Sequence, residues 1–261
     1  MFILTKSHWR KPIIMNSKVH RSIRSYRPQP IPKELLTKIL QRAIQASNTG
    51  NFQSYSLIVT QDPEKKKALA PLHYNQPMVT QAPVLLTFCV DYNRIAHWCI
   101  ESGTSCGHLN LMGFLNASLD TMLFAQNVAV IAEEHDLGIC FLGTVLYNLE
   151  AMIRALELPK GVVPLLAMSM GYPAEDPEPR VRLPLEAIVH YETYSEPTTE
   201  QIQKNYAPII TNPFYTEQVA RTGAKSLAHL IMEQQYPQAT YEKLSREILR
   251  VLQLQGFEIA Q

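Results

Sequence analysis

Val84-Leu85-Leu86-Thr87-Phe88-Cys89-Val90 runs seven residues without a charge and without the polar alternation of a half-exposed strand. A run of this kind, bounded by Pro83 and Asp91, is buried on both faces, so it predicts a sheet covered by helices above and below. Outward from it, residues 54–61, 139–142 and 162–171 read as further strands. Between them lie helical patterns. Leu35, Leu36, Ile39, Leu40, Ala43 and Ile44 predict a helix over 33–46, entered through Pro28, Pro30 and Pro32, with Gly50 placed for a left-handed cap. A short charged helix is expected at 63–69, and an amphipathic one at 148–158 with Leu149, Met152, Ile153 and Leu156 on one side. Residues 115–135 form the longest helical candidate, apolar nearly all round; it is either the central core helix or, in part, a subunit interface. Two or three further helices follow Tyr194, including 214–234 and 241–255. Strands alternating with helices define an α+β domain of three layers, α/β/α.

With 261 residues, 46% apolar and 18% charged, the chain can bury a large core. A net charge of +1 gives the whole chain no electrostatic case for nucleic acid or an anionic membrane. The charge is uneven, however: eight Lys or Arg and no acid precede Glu34. Phe2-Ile3-Leu4 is too short for a secretory h-region, and no apolar run is expected to reach the roughly 20 residues of a membrane span. A cytoplasmic protein is therefore expected, with 1–15 a disordered or variable leader and Met15 an alternative start. Four cysteines without a Cys-x-x-Cys spacing read as reduced thiols. His97, Cys99, Cys106 and His108 have one-residue gaps unlike the common zinc modules and read as ordinary loop and core residues. Neither a Rossmann glycine fingerprint nor a P-loop occurs.

The basic N-terminus leads into His20-Arg21-Ser22-Ile23-Arg24-Ser25-Tyr26, which offers guanidinium forks and hydroxyls suited to phosphate oxygens. On its own it is also what a solvated basic loop looks like. Together with Ser47-Asn48-Thr49-Gly50-Asn51-Phe52-Gln53 after the first helix, it resembles the nitroreductase superfamily, in the branch of NAD(P)H-dependent flavin reductases and oxygen-insensitive nitroreductases. The similarity runs from about Val19 to about Tyr194.

The resemblance implies a nitroreductase-like mixed, mostly antiparallel sheet flanked by helices, in a homodimer that holds FMN at the subunit interface. It implies a domain over 16–195, with 196–261 a C-terminal helical extension. His20, Arg21, Ser22 and Arg24 would grip the flavin phosphate, joined by Arg180 and Arg182 of Arg180-Val181-Arg182, where the family usually has Lys-Pro-Arg. Ser47, Asn48, Thr49 and Asn51 would meet the ribityl chain or ring, and Gln76 the pyrimidine edge. Phe141-Leu142-Gly143-Thr144 matches the family's aromatic-aliphatic-Gly-Gly segment, with Thr144 in place of the second glycine. NAD(P)H would be a transient co-substrate in a ping-pong cycle, and nitroaromatics, quinones or flavin the small-molecule acceptors. Arg221 and Lys225 are possible holders of a nicotinamide phosphate, leaving NADPH or NADH preference open. No catalytic side chain and no metal ligand is nominated. A flavin- or nucleotide-binding protein without turnover is the alternative.

Overall fold

The computed structural model describes residues 19–259. The leader at 1–15 lies outside them. Four strands, β1 (Tyr55–Thr60), β2 (Val84–Asp91), β3 (Gly138–Leu142) and β4 (Val162–Gly171), form one sheet in the order β1-β2-β4-β3. Every strand pair among the described residues is antiparallel, and the isolated bridges of Ser22 to Ile139 and of Asn110 to Glu258 are parallel. The register of β2 on β4 slips between Phe88 and Cys89, opposite Pro164, which has no N–H to give the ladder.

Every residue of β2 is buried, as its apolar run requires. Val84, Leu86 and Phe88 pack on one face against α1 (Lys33–Ala43) and α5 (Leu111–Glu134), while Leu85 packs on the other. There it meets α2 (Pro63–Leu69), α3 (Pro77–Gln81) and α6 (Leu149–Ala155) through Leu69, Val79 and Met152. The period of two in the strand thus feeds two separate cores. A third cluster closes one end of the sheet, where Val90 and Val163 meet Val251, Leu252 and Phe257 from the C-terminal segment.

Several expectations shift. The first helix stops at Ala43, and Gly50 takes φ +55 inside a separate Thr49–Asn51 turn instead of capping that helix. α4 (Asn93–Glu101) follows β2 without having been foreseen, and α7 (Thr199–Ile210) begins at a reciprocal Thr198–Gln201 capping box. The helix expected over 214–234 is broken: α8 (Pro213–Thr222) ends at Gly223, whose φ of +66 is a left-handed cap, and α9 (Leu227–His229) with a π-turn follows. α10 (Gln238–Leu254) completes the chain. Contrary to expectation, α5 is long and apolar enough by length and composition to cross a bilayer. Here its Phe124, Val128 and Ile131 are core residues facing α1 and the sheet, the packing of a central core helix. Leu111, Met112, Leu115, Leu119, Met122 and Leu123 on the same helix stay exposed.

Candidate active site

Strand geometry places the basic segment. Ile23 donates its N–H to the Ile139 carbonyl at 2.8 Å, so residues 20–24 run alongside β3, with Ser22 opposite Ile139. Ile23 and Tyr26 turn into the core, the Tyr26 hydroxyl donating to the Ile23 carbonyl at 2.6 Å. The ring of His20 is held from the other side, Nδ1 lying 2.6 Å from a Glu133 carboxylate oxygen at the end of α5, and Nε2 is 3.4 Å from the Ser22 hydroxyl. The Arg24 guanidinium is exposed and donates to the Ser22 carbonyl at 3.3 Å. Arg21 pairs with Asp176 through one terminal nitrogen, while its Nε is buried and has no partner among the described residues. Asp176 belongs to a loop welded to this segment: Glu175 accepts the N–H groups of Arg24 at 2.5 Å and Ser25 at 3.0 Å, and Ala174 donates to the Ser25 carbonyl at 3.0 Å.

Following β3 to its end brings Phe141, Gly143 and Thr144 beside the turn that carries Gln76. His73 Nδ1 lies 2.7 Å from the Thr144 hydroxyl, and the Asn148 side chain donates to the Leu72 carbonyl at 2.8 Å. The consequence for the Gly-to-Thr departure is direct: the Thr144 side chain is tied to His73. Gly143 is exposed, with nothing within 4 Å of where a Cβ would stand. Tyr74 and Asn75, just before Gln76, both take positive φ, of 55 and 53 degrees, a costly backbone of the kind that collects at ligand sites.

His73 is fully buried and its Nε2 has no partner among the described residues. Burial pushes its imidazole down to about 4 from the usual 6.5, so it is neutral at pH 7. The unfolded chain therefore binds this proton more readily than the folded one. No penalty arises above about pH 6.5; it grows as pH falls toward 4 and reaches about 2–3 kcal/mol near pH 4.5. Urea unfolding of the wild type and His73→Gln at pH 7 and 4.5 measures this, the variant losing less stability on acidification. Equal losses would show that His73 does not drive it.

Ser47, Asn48, Thr49 and Asn51 sit elsewhere. Thr49 donates its N–H (2.8 Å) and hydroxyl (3.0 Å) to Asp120 of α5, which also accepts from the Ser54 hydroxyl at 2.9 Å. Asn48 accepts from the Gln53 N–H at 3.2 Å, and the Asn51 side chain accepts from Gln53 at 3.3 Å. Arg94 braces the loop by donating to the Gln53 (2.6 Å) and Tyr55 (2.9 Å) carbonyls. Gly50, Asn51 and Gln53 all have positive φ. At 1.5 Å per residue, Asp120 lies about 20 Å along α5 from Glu133, so one chain does not bring this loop to the His20 segment. Arg180 and Arg182 are not gathered there either. The Arg180 guanidinium stacks on Phe214 of α8 at 3.3 Å, and Arg182 lines an apolar groove with Tyr206 and Tyr215. His97, Cys99, Cys106 and His108 do not assemble as one group among the described residues; His108 instead stacks parallel to Tyr92, centroids 6.5 Å apart.

The side chains that reasoning from sequence missed are Asp120, Glu133, His73 and Glu175. Asp120 alone had a visible mark, as the one charge in an otherwise uncharged stretch of α5 from Leu111 to Ala132.

This architecture is that of a known family. The nitroreductase family profile matches residues 18–172, and the chain belongs to that family. It is 34% identical over 250 residues to an "FMN reductase [NAD(P)H]" of Bacillus subtilis, covering 92% of this chain and 95% of that one. A second relative from the same organism, "FMN reductase (NADPH)", is 35% identical over 183 residues, covering 69% of this chain and 74% of its own. Among solved structures, an oxidoreductase-type protein from Bacteroides fragilis superposes with a TM-score of 0.90 at 42% identity, covering 91% of this chain and 97% of that one.

Proposed function

We propose that this chain is an FMN-dependent oxidoreductase that passes hydride from NAD(P)H to nitroaromatic, quinone or flavin acceptors. The observation that carries the reading is the continuous edge from Ser22 and Arg24, along β3, to the open backbone at Gly143 and the strained turn before Gln76. The donor set fits the cofactor. Arg21 keeps a buried Nε without a partner among the described residues, Arg24 keeps an exposed guanidinium with a long contact to the Ser22 carbonyl, and the space a Cβ would fill at Gly143 is empty. Arg21, Arg24 and Ser22 would hold the flavin phosphate, with His20 oriented by Glu133. Gly143 would let the ring lie against the backbone, and Gln76 would meet its pyrimidine edge. When bound, FMN supplies the ring that accepts and returns hydride. The protein binds and orients, so no acid-base side chain is assigned.

We further propose a homodimer. The exposed Leu111, Leu115, Leu119 and Met122 lie at roughly helical spacing on the half of α5 that also carries Asp120 and the Ser47–Asn51 loop. A second copy seated there would bring that loop to the first copy's flavin, which explains why one chain alone leaves the two groups about 20 Å apart. Residues 16–195 would be the flavin domain and 196–261 its helical extension, in a cytoplasmic enzyme whose unpaired cysteines suit a reducing compartment. Arg180 and Arg182 would reach the phosphate only by leaving their present partners.

Donor and acceptor would share the face beside Gly143. Steady-state rates with NADPH and a quinone, each varied at several concentrations of the other, should then give parallel double-reciprocal lines. Intersecting lines would mean that both bind together and that the slot is not shared.

A further inference from the structure

Four tyrosines from three separate parts of the chain converge next to that slot. Tyr74 and Tyr147 meet edge to face, with centroids 6.2 Å apart and planes at 80°, and Tyr236 and Tyr241 do the same at 6.1 Å and 87°. The two pairs are brought together because α10, which carries Tyr241, packs against the 3₁₀ turn that carries Tyr147. Tyr74, Tyr236 and Tyr241 remain 59%, 45% and 49% exposed. Edge-to-face pairs leave ring faces uncovered and able to stack on a third ring. Beside them opens a cavity of about 820 Å³, lined by Met232, Glu233, Tyr236, Pro237, Gln238 and Tyr241. That volume suits a small organic molecule. Among the described residues the lining contains no lysine or arginine, and its one charged group is the Glu233 carboxylate.

The position links the cavity to the flavin face. Tyr147 stands four residues beyond Gly143 in a 3₁₀ turn, about 8 Å at some 2 Å per residue. Tyr74 immediately follows His73, the residue tied to Thr144.

We infer that this tyrosine-lined cavity is a remote subsite of the acceptor slot, taking the outer ring of uncharged planar acceptors with two or more fused rings. The inference rests on the acceptor face proposed at Gly143. A single-ring acceptor at Gly143 does not reach the tyrosines, whereas a fused-ring one extends toward them and stacks. Glu233 repels an anionic substituent on that outer ring.

The test compares benzoquinone, a neutral naphthoquinone and a sulfonated naphthoquinone on the FMN-loaded enzyme. The wild type should show a lower KM for the neutral naphthoquinone than for either of the others. In Tyr236→Ala/Tyr241→Ala, the ratio of the benzoquinone KM to the naphthoquinone KM should fall about tenfold, while the Phe pair keeps it. Should the double variant not fold, Tyr236→Leu and Tyr241→Leu singly should each lower the ratio about threefold. Glu233→Gln should lower the KM of the sulfonated quinone. An unchanged ratio in folded variants, or equal loss in the Phe and Ala pairs, would overturn the subsite. Absence of turnover with every quinone in the wild type would instead overturn the function proposed above.

Discussion

Arg21→Ala/Arg24→Ala lowers the affinity for FMN about 100-fold and leaves that for riboflavin, which lacks the phosphate, within about threefold. Two charge-assisted contacts to a phosphate contribute about 1.5–3 kcal/mol each before solvent screening. Partial exposure of both guanidinium groups brings the total to about 3 kcal/mol, or 100-fold. The fold tolerates the change. The Glu175 clamp uses the N–H groups of Arg24 and Ser25, which alanine at position 24 retains, and the lost Arg21–Asp176 pair is exposed enough to contribute under about 1 kcal/mol. Fluorescence titration of the apoprotein with each flavin, beside a thermal melt, checks this. Equal losses for FMN and riboflavin would remove the phosphate from these arginines.

Asp120→Ala destabilises the protein by about 2–4 kcal/mol, the range expected when a buried carboxylate that serves three donors, one of them the buried Ser54 hydroxyl, is removed. Asp120 is 1% exposed and accepts from the Thr49 N–H, the Thr49 hydroxyl and the Ser54 hydroxyl. Its removal leaves those donors without a carboxylate and frees the loop whose Gly50, Asn51 and Gln53 are held at positive φ. Asp120→Asn retains one acceptor oxygen but turns an amide toward a donor, so an intermediate loss of about 1–2 kcal/mol follows. Urea unfolding midpoints measure both, and limited proteolysis between Ser47 and Gln53 should quicken in the same order. A loss under about 0.5 kcal/mol for the alanine variant would show that water replaces the carboxylate.

The layered fold was legible because burial on both faces writes itself into β2 and β4 as unbroken apolar runs, and because α1 and α10 carry clean helical periods. The break at Gly223 was not, since apolar residues continue on both sides of it and only the tertiary setting selects the left-handed cap. Candidate site residues on one strand or turn, such as Ser22, Arg24 and Gly143, were nominated from local pattern and resemblance. The residues that orient them act across the chain: Asp120 is 71 positions from Thr49, and Glu175 is 150 from Ser25. No local periodicity encodes such pairs. The Ser47–Asn51 loop was expected at the ribityl chain or ring of the same flavin, and Arg180 and Arg182 at its phosphate beside the N-terminal arginines, yet one chain holds these groups apart. A site divided between copies, or completed by loop movement, leaves no mark of that division in a single sequence.

The central claim is tested most directly by the visible spectrum of the FMN-loaded protein under anaerobic conditions as NADPH or NADH is added. The account predicts that the flavin absorbance bleaches with about one equivalent of nucleotide per flavin and returns when a nitroaromatic or quinone is supplied. A protein that binds FMN but keeps its oxidised spectrum with both nucleotides would contradict it, leaving a flavin-binding protein without turnover.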